Sequence, residues 1–535
     1  MITEIRIQNA RIYDGQCWSF PLNGLTIFCG TNSAGKSTIL KCLLLLANNI
    51  QGRVSATSAS NGVSLAFSSP SLDLGNFKSF VSHGDVQREL HIGVSIDNLM
   101  NLENYRRIDP SARGVLPAED YPGVTFRPYN LDADFYFRGR QSFVQIEQSD
   151  SQPLLDLKSD EDEEDQISEH RAVLCSAHFC IRSSNGDVLF ACDLSRRPRE
   201  ASKAVDYLIR MPKQLLDTET EGVSYDYLED SDPDYGLLRV SMGGLIPERI
   251  SRATRILGAA PDDAPRFLPL PGFLEEALGD LRGSLNRIAY LGPLRAAARR
   301  YYPIFSDANL RTDLTGEQLP AMLRERGGSL VTSAMPVTHE VVRGTLSDAL
   351  DVWLHFLRTG SPKRPGLYKR EIKINSMQDA FVELGIRSLG GVETHALADS
   401  GFGYSQLLPI LVRGLMLVPG GTLIVEQPEV HLNPGLQVRL SDFLAAMALA
   451  NKQILIETHS EHIVNSIRAI AAEEMAENVY AKCRVLYLSS DDGRPKLHKL
   501  DMLPDGVFPE WPQEFFGESA ELLGRIMRAR REHKN

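Results

Sequence analysis

One loop near the start of the chain constrains the fold more than any other stretch. Residues 30–38 have the sequence Gly-Thr-Asn-Ser-Ala-Gly-Lys-Ser-Thr, which fits the pattern G-x-x-x-x-G-K-[ST]. The apolar run 25–29 before the loop predicts a buried strand, and the leucine-rich run 37–49 after it predicts a helix. In such a strand–loop–helix unit, backbone N–H groups surround phosphate oxygens at the positive end of the helix. The sequence therefore predicts an α/β fold that binds a nucleoside triphosphate.

The loop residues have distinct expected roles in phosphate and metal binding. Lys36 is expected to contact the β- and γ-phosphates, and the Ser37 hydroxyl is expected to bind Mg²⁺. The structural alternative is a glycine turn that carries a lysine by coincidence, which the strand and helix on either side disfavour. The residues predicted to bind ATP here are Gly30, Thr31, Asn32, Ser33, Ala34, Gly35, Lys36, Ser37 and Thr38.

Length and composition exclude several classes of protein. The 535 residues are enough for roughly three to four domains, and 43% apolar with 24% charged residues is typical of a globular protein. No apolar run approaches the ~20 residues of a membrane span, and the first residues lack the features of a secretory signal. The seven scattered cysteines indicate reduced thiols and a cytoplasmic protein. The net charge of −12 excludes an overall basic field for nucleic acid, although a local basic face stays open.

Changes in residue pattern along the chain predict four segments. Residues 1–100 are expected to form the lobe that contains the phosphate-binding loop, and residues 101–280 an inserted α+β domain with acidic loops. Residues 281–500 return to an α/β pattern, and residues 501–535 are expected to form a C-terminal extension. The acidic runs within the insertion are either solvated loops or a patch that binds a partner.

A second apolar strand ends in carboxylates. Residues 420–429 are predicted to form a buried strand and a turn, and Glu426 at the strand end is expected to orient Mg²⁺ together with Ser37. The alternative is a core strand with an exposed glutamate, which the presence of the phosphate-binding loop disfavours. The predicted metal ligands are thus Ser37 and Glu426.

Two further stretches have the chemistry of a phosphate site. The glycine-rich turn 400–406 precedes an apolar helix, and the start of such a helix can bind an anion. The apolar strand 454–457 leads to His459, an imidazole that can touch a γ-phosphate. Each signal is weak alone, because a single histidine or glycine turn is usually structural. The candidate residues of the turn are Ser400, Gly401, Gly403, Ser405 and Gln406.

In chain order these elements resemble the head of an ABC-type ATPase: phosphate-binding loop, signature loop, Mg²⁺-binding strand and switch histidine. The phrases Glu-Gln-Pro-Glu-Val-His-Leu-Asn-Pro at 426–434 and Thr-His-Ser-Glu-His at 458–462 resemble the RecF/SMC/OLD-like branch, and within it the OLD-like and uncharacterised AAA-family ATPases. Tyr-Leu-Gly-Pro-Leu-Arg at 290–295 and Trp-Pro-Gln-Glu-Phe-Phe at 511–516 are similar to the same group.

This resemblance covers residues 1–100 and 285–500. It implies a P-loop NTPase with a mixed sheet flanked by helices, and a homodimer or higher oligomer assembled head-to-tail. Each ATP would lie between Lys36 of one subunit and the Ser405 loop of the other, so that ATP closes the interface and hydrolysis opens it. The family also implies a switch or sensor that acts with a separate nuclease or toxin, in DNA repair or in defence against phages and plasmids. DNA is a further candidate partner.

The Mg²⁺-binding strand departs from the family pattern at one position. The family's hydrolytic carboxylate usually follows the metal-orienting acid directly, and Gln427 stands there. Glutamine can orient water but cannot accept its proton, so either Glu429 replaces the missing carboxylate or Glu426 plays both parts. The residues expected in catalysis are Glu426, Gln427, Glu429 and His459. Slow turnover is expected, and the alternative is a scaffold that binds ATP almost without hydrolysis.

A cysteine-rich stretch suggests zinc only weakly. Cys175, His178, Cys180 and Cys192 match no common zinc-ligand spacing, and a strand with buried cysteines explains them as well. A Toprim nuclease domain is disfavoured, because the residues after His459 predict a strand pair and a helix instead. A membrane-transport motor is disfavoured, because the turn 400–406 lacks the Leu-Ser-Gly-Gly-Gln signature.

Two groups of basic residues can each be interpreted in two ways. Arg295, Arg299 and Arg300 follow a glycine turn, and they are either a solvated stretch or a contact with nucleotide or nucleic acid. The run 528–534 is predicted to end a helix, where cations are favoured by the helix dipole, and it can alternatively contact DNA or a partner.

Overall fold

The structure, a computed structural model, describes most of the chain, and the statements below concern that part. The described residues are 1–50, 62–69, 72–97, 129–139, 172–183, 185–198, 205–213, 227–251, 267–303, 315–363, 370–377, 381–388, 393–399, 402–473 and 477–509. Some predicted features lie outside them, namely the turn residues Ser400 and Gly401 and the C-terminal stretches 511–516 and 528–534.

Strands dominate the first half of the described chain, whereas helices and strands alternate in the second half. The helices are α1 (Lys36–Asn49), α2 (Phe77–Phe80), α3 (Gly272–Asn286), α4 (Leu319–Arg326), α5 (Leu346–Thr359), α6 (Phe402–Met416), α7 (Pro434–Leu449), α8 (Glu461–Ala472) and α9 (Glu477–Lys482). The strands are β1 (Ile2–Gln8), β2 (Trp18–Pro21), β3 (Leu25–Gly30), β4 (Ser64–Leu65), β5 (Ser68–Ser69), β6 (Leu72–Asp73), β7 (Leu90–Asp97), β8 (Tyr129–Gly139), β9 (Ala172–Ser183), β10 (Val188–Pro198), β11 (Val205–Pro212), β12 (Leu228–Glu229), β13 (Tyr235–Gly243), β14 (Ile246–Ser251), β15 (Phe267–Leu268), β16 (Ile288–Leu291), β17 (Tyr302–Pro303), β18 (Leu330–Ala334), β19 (Val341–Thr345), β20 (Ile372–Met377), β21 (Phe381–Arg387), β22 (Thr394–Ala396), β23 (Thr422–Glu426), β24 (Gln453–Glu457), β25 (Cys483–Asp491) and β26 (Arg494–Leu500).

The chain divides into two compact units. The first contains residues 1–21 and 38–286, and the second contains residues 22–37 and the described residues from 287 onward. In the first unit, the strands run in the order β15-β14-β13-β11-β10-β9-β8-β7-β1-β2. The division therefore differs from the four segments predicted above. Because β7 pairs with both β1 and β8, the strands expected to form a separate insertion continue the sheet of the N-terminal strands.

The second unit is built on a mainly parallel sheet. Its strand order is β16-β23-β24-β3-β25-β26, and all neighbours are parallel except the hairpin of β25 and β26. The central strands β23 and β24 are buried along their whole length, as expected for a parallel sheet covered on both faces. The predicted fold class, an α/β P-loop fold with sheets flanked by helices, is confirmed.

Aromatic side chains anchor the helices of the second unit. Trp353 of α5 lies edge-on to Phe443 of α7, with ring centroids 5.1 Å apart. The indole N–H of Trp353 donates to the carbonyl oxygen of Ala334 at 3.1 Å, so its one polar group is satisfied inside the core. This packing holds α5 and α7 in a fixed arrangement within the unit that carries the phosphate-binding loop.

Local predictions were mostly confirmed, with one shifted boundary. The strand before the loop is β3, the helix after it is α1, and β25 and β26 form the predicted hairpin, in which Asp491 pairs with Arg494. The run 341–357 has the pattern of an amphipathic helix, and a helix prediction for all of it is wrong at the start, because Val341–Thr345 pair with β18. Thr345 then caps α5 by accepting a hydrogen bond from the Asp348 backbone N–H. Among the described helices, none combines the length and apolar character that crossing a bilayer requires.

Candidate nucleotide site

The phosphate-binding loop, Gly30–Thr38, begins where β3 touches β25. Gly30 has φ +126°, and a Cβ added there would lie 1.8 Å from the carbonyl oxygen of Leu488. The next residue, Thr31, donates its backbone N–H to the same oxygen at 3.0 Å. Only glycine can occupy a position with both this backbone conformation and this close approach. The first glycine of the motif is therefore required by the sheet as well as by the ligand.

Lys36 is folded back over the loop. Its side chain is buried, and Nζ donates to the carbonyl oxygens of Thr31 at 2.7 Å and Gly30 at 3.2 Å. Ser33 and Gly35 have positive φ values of 60° and 89°, so the loop turns tightly around the ammonium group. Burial lowers the pKa of Lys36, and the negative charge of Glu457 opposes that shift. A cation held in this way is suited to binding phosphate oxygens.

The Ser37 hydroxyl contacts a carboxylate that the sequence did not single out. Ser37 Oγ lies 2.7 Å from Oε2 and 2.9 Å from Oε1 of Glu457. Glu457 is the last residue of β24, and it pairs with Phe28 of β3. In the sequence Glu457 is only the last residue of the predicted strand 454–457, and its position beside the loop follows from the strand order, for which no local signal exists.

Glu426 lies at the matching position of the next strand. It is the last residue of β23 and pairs in register with Glu457. Tyr290 of β16 donates its hydroxyl to Glu426 Oε1 at 3.0 Å. Burial raises the pKa of Tyr290, and the charge of Glu426 raises it further. Parallel strand ends thus bring both carboxylates to the edge of the sheet where the loop begins.

Arg295 supports the turn that follows β23. Its Nη2 donates to the carbonyl oxygen of Glu426 at 2.9 Å and to that of Gln427 at 3.4 Å. Burial lowers the pKa of Arg295 to about 10, and the charge of Glu429 opposes that shift. Of the three arginines considered in the sequence, this one belongs to the site.

The other two arginines form ion pairs away from the turn. Arg299 pairs with Glu317 at 2.7 Å, and Arg300 pairs with Asp399 at 3.0 Å. Both arginine side chains are more than half exposed, at 57% and 64%. These contacts explain the two residues as solvated pairs, which contribute little to stability.

The two candidates for the hydrolytic residue differ in their contacts. Glu429 accepts hydrogen bonds from Thr458 Oγ1 at 2.8 Å and from the His459 backbone N–H at 2.7 Å. Gln427 has φ +46°, and its backbone N–H donates to the Glu457 carbonyl oxygen at 2.7 Å. Glu429 therefore joins the ends of β23 and β24, whereas Gln427 occupies the tight turn directly after Glu426.

His459 is exposed and electrostatically coupled to the loop. Desolvation lowers the pKa of its imidazole, and the positive charge of Lys36 lowers it further. The neutral form is thus favoured, and a neutral imidazole can either donate or accept a hydrogen bond. The Lys36 ammonium group is therefore close enough to His459 for its charge to act on the imidazole.

The signature turn is less accessible than expected. Ser405 and Gln406 lie in the first turns of α6 with 4% and 1% of their surface exposed, and Gln406 Nε2 lies 3.4 Å from Ser405 Oγ. Gly403 is half-buried near the helix start, where a Cβ would lie 3.4 Å from the His431 carbonyl oxygen. Among the described residues of the turn, Gly403 is therefore more exposed than Ser405 and Gln406.

The cysteine-rich stretch lies on β9 and β10. His178 Nδ1 pairs with Asp193 Oδ1 at 2.7 Å, and the Cys180 and Cys192 thiols are buried, which raises the pKa of each. Across the described ranges, no group of three or more His, Cys, Asp and Glu side chains is placed to hold a metal ion. The paired strands β9 and β10 give these residues a structural position in the sheet.

The phosphate-binding loop and its carboxylates fit ATP with Mg²⁺. Mg²⁺ is usually held by one or two protein oxygens plus nucleotide phosphates, and it neutralises charge during phosphoryl transfer. Ser37, Glu457 and Glu426 supply oxygens of this kind, and Lys36 supplies the cation. The oxygen atoms of these side chains are the donor type that Mg²⁺ prefers, and the loop has the sequence of a phosphate-binding loop.

Comparisons with known families agree with this chemistry. Residues 359–464 match the AAA ATPase domain family, and residues 4–167 match the AAA domain family. The two matched segments are similar to ATPase domains, which supports ATP binding and ATPase activity in general terms. A comparison with curated protein sequences gave no match.

The fold is similar to solved heads of SMC proteins. One is an SMC head bound to the C-winged helix domain of ScpA, with 11% identity and a TM-score of 0.37 over 94% of this chain and 98% of that one. Another is the SMC head domain from Thermotoga maritima, with 7% identity and a TM-score of 0.34 over 94% and 99%. A third, derived from Pyrococcus furiosus, is an SMC head with an extended coiled coil bound to the C-terminal domain of ScpA, with 11% identity and a TM-score of 0.35 over 98% and 99%.

Proposed function

We propose that this chain is a slow ATPase that works as an ATP-dependent switch. The observation that carries the proposal is the strand-end site of the second unit, where Lys36 and Ser37 lie beside the carboxylates of β23 and β24. In this proposal, the loop N–H groups and Lys36 bind the phosphates, Ser37 and a carboxylate hold Mg²⁺, and the turn after β23 positions the attacking water. Two copies assemble head-to-tail around ATP.

Slow turnover is supported by the contacts of the turn. The Glu429 carboxylate accepts hydrogen bonds from Thr458 and His459, so it is committed to joining two strand ends. Gln427 directly follows Glu426 and cannot accept a proton from water. A site with this arrangement holds ATP for long periods, which suits a switch rather than a motor.

Gln427→Glu tests this explanation of the rate. Both residues have side chains of the same length, and neither is glycine, so the φ of +46° is equally strained in each. We expect steady-state phosphate release to rise at least about tenfold, because a general base is added beside the Mg²⁺-binding strand. The double variant that also carries Lys36→Ala should stay at background. An unchanged rate would mean that Gln427 does not occupy the hydrolytic position.

Head-to-tail assembly is supported by the N-terminus of α6. The start of a helix favours anionic groups such as a γ-phosphate, and Gly403, which is only partly buried, lies there. Since Ser405 is buried in the single chain, the contact is assigned to the helix start rather than to the Ser405 hydroxyl. A bulky cation at Gly403 should therefore block assembly while leaving the nucleotide site of the same chain intact.

The mass of the purified protein, with and without ATP and Mg²⁺, tests the switch. We expect wild type to assemble with ATP, and Lys36→Ala to stay monomeric because it no longer binds ATP. Gly403→Arg should bind ATP but stay monomeric, whereas Gly328→Arg, at an exposed glycine with no atom close to its added Cβ, should behave as wild type. If every variant has the same mass regardless of ATP, the composite-site proposal is wrong.

A second candidate is a scaffold that binds ATP almost without hydrolysis, and Gln427 favours it. Phosphate release by wild type no greater than that of Lys36→Ala, with ATP-driven assembly retained, would select the scaffold. In either case we propose a separate nuclease or toxin as effector, in DNA repair or in defence against phages and plasmids. The motif resemblance supports the proposed effector. Co-expression of this chain with candidate nucleases or toxins, followed by co-purification, tests it.

A further inference from the structure

An exposed thiol in the first unit lies beside a histidine and a carboxylate. Cys17 directly precedes β2, and its Sγ lies 3.6 Å from Nδ1 of His91 on β7. Nε2 of the same imidazole lies 2.8 Å from Oδ1 of Asp134 on β8. A nucleophile, a base and a group that orients the base thus follow one another within hydrogen-bond reach, which is how proteins activate a cysteine.

The register of the antiparallel sheet brings the histidine and the carboxylate together. His91 pairs with Gln8 of β1 on one side and with Tyr136 of β8 on the other. Asp134 pairs with Gly93, where an added Cβ would lie only 1.9 Å from Asp134 Oδ1. Because residues two apart on a strand share a face, the missing side chain of Gly93 leaves the space in which the carboxylate meets the imidazole of His91.

The imidazole of His91 is held in one orientation. Only 5% of this residue's surface is exposed, and its ring stacks on that of Tyr136 with centroids 4.6 Å apart. Burial opposes ionisation of Asp134, but hydrogen bonds from His91 and Arg6 lower the pKa of this carboxyl. An ionised carboxylate only accepts hydrogen bonds, so in the neutral imidazole Nε2 donates to Asp134. Nδ1 is then the acceptor that faces the Cys17 thiol.

Accessibility distinguishes Cys17 from the other cysteines. All seven cysteines of the chain lie in the described ranges; Cys17 is exposed, Cys175 is half-buried and the other five are buried. A thiol reagent must reach the sulfur atom, so exposure favours reaction at Cys17.

The charges around Cys17 make a base necessary. Partial burial of its sulfur raises the pKa of the thiol and the charge of Asp134 raises it further, while the charge of Arg6 opposes both. The resting thiol is therefore protonated at neutral pH. Once deprotonated, a thiolate of high pKa is a strong nucleophile, so the reactivity of Cys17 depends on the transfer of its proton to His91.

We propose that Cys17 is a modification site that forms mixed disulfides with small disulfides, with His91 as general base and Asp134 as the residue that positions the imidazole. Nδ1 of His91 takes the thiol proton, and the sulfur attacks one sulfur of the disulfide R–S–S–R. The S–S bond of the reagent breaks as the Cys17–S–S–R bond forms, and the leaving thiolate takes the proton from His91. One disulfide replaces another, so the exchange needs no further oxidant. The proposal does not depend on ATP binding.

The rate of thiol exchange tests the site in the purified full-length chain. Reaction with dithiodipyridine is followed by the absorbance of the released thiopyridone, and peptide mass spectrometry after reaction with glutathione disulfide locates the adduct. We expect one fast-reacting thiol at pH 7 in wild type and in Cys175→Ser, and none in Cys17→Ser. A fast thiol that persists in Cys17→Ser would overturn the proposal.

Substitutions at the two partners separate base from support. His91→Asn should slow the reaction of Cys17 at pH 7 by at least about tenfold, the lower range of general-base catalysis. Asp134→Asn should slow it in the same direction, because an amide can donate to Nε2 and leave the proton on Nδ1. The matched control is Asp132→Asn on the same strand, which bonds to Ser95 and Arg182 and should react as wild type does.

The pH profile distinguishes a base from a merely structural residue. An unassisted thiol reacts about tenfold faster per pH unit below its pKa, because only the thiolate attacks. We expect this steep rise in His91→Asn, and a rise of less than about threefold between pH 7 and 8 in wild type, where the base assists. The titratable and charged groups around the thiol are Glu4, Arg6, His91, Asp134 and Tyr136.

Equal rates and equal pH profiles in wild type and folded His91→Asn would overturn the role of His91, because exposure alone would then explain the reactivity of Cys17. Circular dichroism checks that each variant is folded. If His91→Asn does not fold, the wild-type profile still decides, since a tenfold rise per pH unit in wild type contradicts an assisting base.

Discussion

The two units of the chain use buried charge in opposite ways. In the first unit, Arg6 Nε donates to Asp134 Oδ1 at 2.8 Å, and His91 Nε2 lies 2.8 Å from the same oxygen; the three residues lie on the neighbouring antiparallel strands β1, β8 and β7. In the second unit, Glu426 and Glu457 lie at strand ends beside a glycine loop. The charges on the antiparallel strands find partners across the sheet, whereas charges at the ends of parallel strands face the edge where ligands bind.

The pKa of Asp134 illustrates a group of charges that the protein satisfies by itself, called the closed network below. Burial opposes ionisation of this carboxyl, but hydrogen bonds from His91 and Arg6 outweigh burial and lower its pKa. The charge is thus satisfied by the protein alone, and it contributes to stability rather than to binding. Lys36 illustrates the other case, called the open site below: carbonyl oxygens of the loop accept the hydrogen bonds of its ammonium group, and a phosphate would be a stronger partner.

Among single substitutions, we expect the largest effect on stability and hydrolysis at Gly30, the first residue of the phosphate-binding loop. Gly30→Ala places a Cβ 1.8 Å from the Leu488 carbonyl oxygen, and backbone on both sides prevents relief. We expect the free energy of unfolding to fall by about 3 kcal/mol or more, and ATP hydrolysis to fall about a hundredfold as the loop is displaced. Urea denaturation and phosphate release measure the two effects.

A matched control separates the collision from the backbone conformation. Gly186 also has a positive φ, of 90°, but no atom lies within 4 Å of an added Cβ. Gly186→Ala should cost about 1 kcal/mol from the backbone conformation alone and should leave hydrolysis unchanged. Equal losses of stability in the two variants would contradict the role of the Leu488 contact.

Asp134→Ala tests the closed network and should have the next largest effect. Removing this carboxylate takes from His91 its carboxylate partner and from Arg6 one of three, because Arg6 keeps Glu4 and Asp132. We expect the free energy of unfolding to fall by about 3 kcal/mol, while ATP affinity of the folded protein stays within about twofold of wild type. Denaturation followed by nucleotide titration checks both parts, with the exposed Asp187→Ala as control. A loss of ATP affinity in the folded variant would mean that the network is coupled to the nucleotide site.

The sequence predicted the open site better than the closed network for a physical reason. Gly30, Lys36 and Ser37 belong to one contiguous motif, and the apolar runs before Glu426 and His459 are local signals of buried strands. The contact of Ser37 with Glu457 depends on β24 lying between β23 and β3, which only long-range pairing decides. The sequence therefore predicted Glu426 as a metal ligand and gave no sign that Glu457 contacts Ser37.

The sequence contains weaker signals for the sheet of the first unit, again because long-range pairing decides its contacts. Its sheet joins β1, β7 and β8, so Arg6 and Asp134, 128 residues apart, meet only through antiparallel pairing. No motif marks such partners, and the polar texture of residues 101–280 suggested a separate insertion instead. Pairing between distant strands is the part of a fold that local propensity and periodicity do not determine.

Lys452 illustrates a third kind of buried charge. Its substitution should have the smallest and most pH-dependent effect on the free energy of unfolding. Its side chain is fully buried, and Nζ donates to the carbonyl oxygens of Gly414 and Leu415 at 2.9 and 2.8 Å in the last turn of α6. Burial lowers the pKa of this amine from 10.5 to about 7. A neutral amine keeps two N–H donors, enough for both carbonyl oxygens. Unlike Asp134 and Lys36, Lys452 therefore avoids its charge instead of pairing it.

The sign of its pH dependence follows from proton binding. Between about pH 7 and 10 the unfolded chain binds a proton at Lys452 that the folded chain does not, so this residue makes stability rise with pH. Below pH 7 both states are protonated and its contribution is constant. We expect the unfolding free energy of wild type minus that of Lys452→Met to grow by at most about 1.4 kcal/mol per pH unit over this window. Urea denaturation at pH 7, 8 and 9 measures it, with the exposed Lys373→Met as control, and a difference that is constant with pH would show that Lys452 is charged in the folded protein.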